Sequence, residues 1–373
     1  MTTQSALIPY PRKPLLRGVL RFAGRTAMSL LSRTEVNGAE NLPKNGPLIL
    51  VGNHVAFLEA VMMVLYVPWL VEVVGTGEIP LDPRYAPLIH TYGYIPIRRG
   101  DMDREALNSA LGVLKQGGVV GIFPEGGIWE SATKKARTGV SWLSYQSEAP
   151  LLPIGFGGID GAIGKIASLK RPRLVMNIGN VIPPIRAVGG EKSRKVALEE
   201  GAQMIMSHVE ALVPEEDKRR WNRIRDERFE LRVTLQAADG SNVNVPDELR
   251  IQSAEMLSKL FHRPLMLDVF TRNLKLPVHA LQNIHIERDP QKLADAADVV
   301  LDYLTNTNPH FLTYRFGYDQ GAAMQRGVQE LRDLARWAQT NRYQLEVTAI
   351  RRYRKRGSDE EYVENRPGEL PAL

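Results

Sequence analysis

The sequence predicts an α/β domain, a mixed sheet flanked by helices, followed by a small α+β domain. Three observations predict it. Short apolar runs alternate with helical patterns from residue 47 to about residue 215, the order expected of a sheet wound with helices. A charge run, Pro214-Glu215-Glu216-Asp217-Lys218-Arg219-Arg220, interrupts that rhythm, and two strand-like and three helical stretches follow it. The length of 373 residues fits two units, because a single core rarely grows past about 250–300 residues. The expected division is a segment 1–33, a domain 34–220 and a domain 221–373.

Pro9, Pro11 and Pro14 break any regular element at the start of the chain. Leu15, Leu16, Val19, Leu20, Ala23, Ala27, Leu30 and Leu31 then recur at helical spacing. Lys13, Arg17, Arg21 and Arg25 recur every four residues beside them. An apolar face beside a basic stripe is the pattern of a helix lying in a membrane interface, and four cations near an anionic surface would add roughly 4 kcal/mol of attraction. A packed helix with a solvated basic side would give the same pattern.

Asn37-Gly38 and Lys44-Asn45-Gly46 read as turns, and Pro47-Leu48-Ile49-Leu50-Val51 as a buried strand. Residues 59–66 are apolar almost all round, a buried helix. Residues 69–74 form a second strand and 82–92 a short helix or loop. Gly93-Tyr94-Ile95-Pro96-Ile97 is strand-like and ends in Arg98-Arg99. The helix over 101–115 starts acidic and ends basic, as the helix dipole favours, and Gln116-Gly117-Gly118 stops it. Val119 to Phe123 is a strand closed by the turn Pro124-Glu125-Gly126-Gly127. A basic loop over 133–139 leads to a helix ending near Gln146. Pro150-Leu151-Leu152-Pro153-Ile154-Gly155 and residues 173–178 are the last strands, and 191–212 a long helix. In the second domain 229–236 and 344–352 alternate as strands, and 249–261, 290–304 and 319–339 read as helices. Residues 351–356 form a second basic cluster, the reading being a solvated strand end with contact to lipid headgroups as the alternative.

Composition narrows the function. No cysteine is present, which excludes a disulfide framework, a thiolate nucleophile and a cysteine zinc site. The net charge of +6 favours an acidic partner. A basic helix or sheet with interleaved aromatics is missing, so an anionic membrane is expected rather than nucleic acid. The longest apolar stretch, Ala60–Val71, contains Pro68 and falls short of the roughly 20 residues a spanning helix needs. With no signal-peptide pattern, the expected location is cytoplasmic, peripheral on the inner face of the cell membrane. Neither a phosphate loop, a Gly-x-Ser-x-Gly elbow nor a His-Glu-x-x-His metal motif occurs, and no metal or cofactor is expected.

The chemistry-bearing stretch is Asn53-His54-Val55-Ala56-Phe57-Leu58-Glu59, directly after the first strand of the sheet. Five residues turn about 500° on a straight helix. His54 and Glu59 can therefore meet only if the histidine sits in the turn before the helix and the carboxylate reaches back from its second turn. Such a pair would lie at the C-terminal mouth of a strand, where open α/β sheets place ligands. A carboxylate on one imidazole nitrogen fixes the tautomer and leaves the other nitrogen free to take a proton.

Four blocks in order, Asn53-His54 with Glu59, Gly93 to Arg99, Phe123-Pro124-Glu125-Gly126, and Leu152-Pro153-Ile154, resemble the 1-acyl-glycerol-3-phosphate acyltransferase family over roughly residues 30–215. The resemblance implies a glycerol-3-phosphate acyltransferase-like fold, with His54 as general base oriented by Glu59. It also implies an acceptor site drawn from Asn53, Arg99, Phe123, Pro124, Glu125, Gly126, Gly127, Arg137 and Pro153. The donor would be acyl-CoA or acyl carrier protein and the acceptor a lysophospholipid, lysophosphatidic acid by default. Two positions depart from the family pattern. Glu59 replaces an aspartate, and Gly127-Ile128 stand where the family has a threonine and an arginine. Lys135 and Arg137 are then candidates for the missing cation. Acylation of another lipid or glycolipid hydroxyl, and an inactive membrane-binding protein of the same fold, stay open as alternatives.

Overall fold

The structure is a computed structural model. It describes residues 8–365 except 78–84, 99–102, 126–136, 187–189, 222–223, 264–266, 268, 272–273, 275–278 and 356. Seven strands build the first sheet: β1 (Arg33–Asn37), β2 (Leu48–Gly52), β3 (Val71–Thr76), β4 (Ile95–Ile97), β5 (Val119–Ile122), β6 (Leu151–Gly157) and β7 (Arg173–Ile178). Their order is β1-β7-β6-β2-β5-β3-β4. Strands β6, β2, β5, β3 and β4 run parallel, while β7 pairs antiparallel with β6 and carries β1 parallel to itself. The sheet is mixed, as the sequence predicts. The connecting helices are α1 (Pro14–Leu31), α2 (Leu58–Tyr66), α3 (Ala86–Tyr92), α4 (Arg104–Lys115), α5 (Gly139–Ser147), α6 (Ala162–Ala167), α7 (Glu191–Leu212) and α8 (Glu215–Trp221).

Strand β2 lies at the centre because both its faces are apolar. Leu48 and Leu50 point into a core shared with α1 and α2, while Ile49 and Val51 point into a second core shared with α4, α5 and α7. All four are completely buried, each contributing about 1.5–3 kcal/mol over exposure to water. The C-terminal end of this pinned strand is where the candidate site begins. Pro153, expected at the acceptor site, sits inside β6 in register with Val51. It is buried, and its carbonyl accepts the Gly179 N–H at 2.9 Å.

Helix α1 reverses the sequence expectation about which side is basic. Arg17 is fully buried. Its NH2 reaches Glu72 Oε2 at 3.0 Å, its Nε donates to Tyr92 O at 2.9 Å, and its guanidinium lies 4.3 Å over the Tyr92 ring. Arg12 adds a second bond to Glu72 at 2.8 Å. Arg21 donates to Val67 O, and Arg25 to Leu65 O and Val67 O. These carbonyls close the end of α2 and have no partner within that helix. Arg17, Arg21 and Arg25 are thus bonded to a buried carboxylate and to the end of a helix, while Lys13 donates to Thr91 O at 3.2 Å from an exposed position. The face turned outward is apolar instead, with Leu15 87% and Phe22 76% exposed, and Val19 and Leu30 beside them. Arg17 is therefore lost to any anionic surface, and the stripe is not the four-cation face that the spacing suggests.

Removing one partner of a buried ion pair strands the other charge, at a cost of about 3–5 kcal/mol. Glu72→Gln is expected to lower the stability of the first domain by that amount, read from chemical unfolding. The double variant Arg17→Met/Glu72→Leu should cost less than the sum of its single variants. Additive costs would show that the pair is not coupled.

The second sheet is antiparallel, in the order β11-β10-β8-β9, from β8 (Ile224–Gln236), β9 (Asn242–Val243), β10 (Gln344–Lys355) and β11 (Glu361–Glu364). Helices Ala254–Phe261, Pro290–Asp302, Phe311–Phe316 and Tyr318–Thr340 pack with it around a separate core. The first of these is shorter than predicted, because residues 247–249 form a turn of their own. Helix Phe311–Phe316 was not predicted. Two residues of the basic cluster are not free in solvent. Arg351 is held between Glu227 and Glu364, and Arg352 between Glu230 and Glu361. The charge run at 214–220 is helical and docks on the first sheet. Asp217 accepts the Gly158 N–H at 3.0 Å, and Glu216 pairs with Arg173.

Candidate active site

Strand β2 ends at Gly52, and residues 53–57 turn into α2. A side chain at Gly52 would bring its Cβ within 2.7 Å of the Phe156 ring and 3.3 Å of the Phe123 ring, so only glycine lets these two aromatics close over the strand end. Asn53 is buried and its amide is satisfied at both ends by one backbone unit. Its Oδ1 accepts the Phe156 N–H at 2.7 Å, and its Nδ2 donates to Phe156 O at 3.1 Å. The sequence reading put Asn53 in the acceptor site; in the structure its amide clamps the turn to β6.

His54 follows with 18% of its side chain open to solvent, its Nδ1 3.9 Å from Glu59 Oε1. That distance suits an ion pair and exceeds a hydrogen bond. The imidazole stacks on Phe123, with centroids 4.3 Å apart and planes 17° apart. This contact joins the end of β2 to the end of β5 and sets the plane of the ring. Sequence reasoning gave Phe123 to the acceptor and missed this role, for which an aromatic at a neighbouring strand end was the available signal.

Glu59 is completely buried and lies in the first turn of α2, not the second, because the helix begins at Leu58. Its carboxylate takes the N–H groups of Val55 and Ala56, the latter at 2.9 Å, in the turn that enters the helix. Burial pushes its pKa up to about 8, against the opposing pull of the Val55 and Ala56 N–H groups and with a smaller push from Glu125. Pro124 and Glu125 are buried beside the site. Arg137 returns to it through its backbone, donating to Pro124 O at 3.0 Å. Arg99, Gly126 and Gly127 lie outside the described residues.

The site therefore assembles an imidazole partly open to solvent, a buried carboxylate behind it, and Phe123, Pro124 and Glu125 of the third block at its side. Residues 33–157 match the family model described as Acyltransferase. This stretch is similar to an acyltransferase domain. Over 135 residues, 36% of this chain and 67% of the relative, the sequence is 22% identical to the 1-acyl-sn-glycerol-3-phosphate acyltransferase of Bacillus subtilis (strain 168). Among solved structures it is similar to the 1-acyl-sn-glycerophosphate (LPA) acyltransferase, PlsC, from Thermotoga maritima. That similarity has 20% sequence identity, covers 55% of this chain and 85% of that chain, and has a TM-score of 0.40. The family match to the acyltransferase domain ends at β6, so the whole second sheet lies beyond it.

Proposed function

We propose that the chain moves a fatty acyl group from a thioester, on coenzyme A or acyl carrier protein, to a hydroxyl of a lysophospholipid, with lysophosphatidic acid as the leading acceptor. The observation that carries this reading is the meeting of His54, Glu59 and the Phe123-Pro124-Glu125 turn at the mouth of β2. His54 Nε2 takes the acceptor hydroxyl's proton as the oxygen attacks the thioester carbon. The tetrahedral intermediate collapses, the C–S bond breaks, and the departing thiolate takes the proton back from the imidazolium. One ester bond forms for one thioester lost, and no acyl-enzyme is required. Arg99, by its place in the second block, and Arg137, beside Pro124, are assigned to the acceptor's phosphate, which guanidinium groups suit. Incubating the purified protein with labelled acyl-CoA, or with acyl carrier protein, and a panel of lysophospholipids and glycolipids tests the assignment. Preference for an uncharged glycolipid would remove the phosphate from it.

The lipid substrate also gives the outer face of α1 a partner. Among the described residues no helix is long and apolar enough to cross a membrane. The exposed Leu15, Val19, Phe22 and Leu30 support shallow insertion into one leaflet. The double variant Leu15→Ser/Phe22→Ser is expected to lose binding to neutral and anionic vesicles alike, and high salt should change wild-type binding little. Loss confined to anionic vesicles would favour an electrostatic attachment instead.

A further inference from the structure

We propose that the second domain aims Arg137 through Tyr314, and thereby sets affinity for the anionic acceptor. The proposal rests on the reading of Arg137 as an acceptor ligand. Arg137 is exposed, and its backbone is tied to Pro124 at the site. Its side chain leaves the first domain altogether. NH2 donates to Tyr314 O at 3.2 Å, and the guanidinium lies over the Tyr314 ring, 4.4 Å from its centroid. A guanidinium has five N–H donors in one plane. The carbonyl takes one and the ring covers a face, so the remaining edge stays able to meet an anion. The contact orients the fork without consuming it, and an oriented ligand loses less rotamer freedom when the anion arrives.

Tyr314 is itself held firmly. It sits on helix Phe311–Phe316, whose Phe311 and Leu312 are buried in the second core. Phe311 packs against Phe270 and Tyr303, with centroids 5.3 and 5.9 Å away. The following helix approaches so closely that a Cβ on Gly321 would lie 2.5 Å from Thr313 N and 2.6 Å from Thr313 Cα. Gly321 therefore fixes the backbone one residue before Tyr314. A chain of packed contacts leads from the core of a domain outside the family match to an arginine at the acyltransferase site.

The test measures the KM of lysophosphatidic acid and of acyl-CoA for Tyr314→Phe, Tyr314→Ala, Arg137→Lys and the Tyr314→Ala/Arg137→Lys double variant. Tyr314→Phe keeps the ring and the carbonyl and should match wild type. Tyr314→Ala should raise the acceptor KM about two- to fivefold, the worth of an exposed cation–π contact, and leave the donor KM and kcat unchanged. The double variant should be no worse than Arg137→Lys alone. The unfolding midpoint of Tyr314→Ala, a change at a half-buried position, should match wild type, which separates a lost contact from a poorly folded domain. A lysophosphatidic acid binding isotherm in the His54→Ala background reads the same affinity without turnover. If Arg137→Lys raises the acceptor KM and Tyr314→Ala does not, or if their effects add, the proposal fails and the reading of Arg137 stands. If Arg137→Lys changes nothing, both fail.

Discussion

Replacing His54 by alanine is expected to lower acyl transfer about 10²–10⁴-fold, the range for loss of a positioned general base. The fold should survive. His54 lies in a turn with part of its side chain in solvent, and the clamp that holds the turn is Asn53 on Phe156, not the imidazole. Circular dichroism, the unfolding midpoint and vesicle binding should therefore match wild type. Because the base acts in the transition state, kcat should fall much more than either KM rises. Retention of more than a tenth of wild-type turnover would remove His54 from the proton-transfer step.

The second large effect is a pH dependence written by Glu59. An ionised Glu59 attracts the proton of the imidazole to Nδ1 and leaves Nε2 with the lone pair that catalysis needs. A neutral carboxyl gives up that preference. Since burial holds its pKa at about 8, kcat/KM for acyl transfer should rise with pH and level off above about 8. Glu59→Gln should be slow, about 10–100-fold below wild type, in the range that loss of a group orienting a catalytic imidazole can reach, and should lack that limb.

Stability should move in the opposite sense. The folded-state pKa lies above the ordinary 4.5, so the native protein keeps a proton that the unfolded chain releases. Stability is then lost as pH rises from about 4.5 to about 8, by on the order of 4 kcal/mol, and is flat above. Glu59→Gln lacks this slope, whatever its constant cost in lost bonds to Val55 and Ala56. Unfolding free energies of both proteins at pH 5 and pH 8 give the comparison; parallel changes would mean that Glu59 does not titrate in that window.

Much of the first domain was legible because its signals are local. The apolar run 47–51 reads as a short buried strand, and β2 is the centre of the sheet. The His54–Glu59 spacing required a turn before a helix, and residues 53–57 form one. What was not legible depended on partners distant in sequence. The basic residues of α1 have the same spacing whether they face water or the protein. What turns them inward is Glu72 on β3 and the bare carbonyls at the end of α2, and neither is visible in the helix's own pattern. The stacking of Phe123 on His54 and the capture of Asn53 by Phe156 join residues about 70 and 103 positions apart. In the second domain the strands showed by alternation, but the six-residue helix carrying Tyr314 is too short for a periodic signal.

The measurement that bears most directly on the proposed reaction is its stoichiometry. Purified protein, labelled acyl-CoA and lysophosphatidic acid are mixed, free thiol is followed continuously, and the lipid products are identified by mass spectrometry. The account predicts one diacylated phospholipid for each thiol released, with the label in the new ester and none on the protein. Thiol release with free fatty acid as the product, or label bound covalently to the chain, would contradict direct transfer to the acceptor hydroxyl by His54.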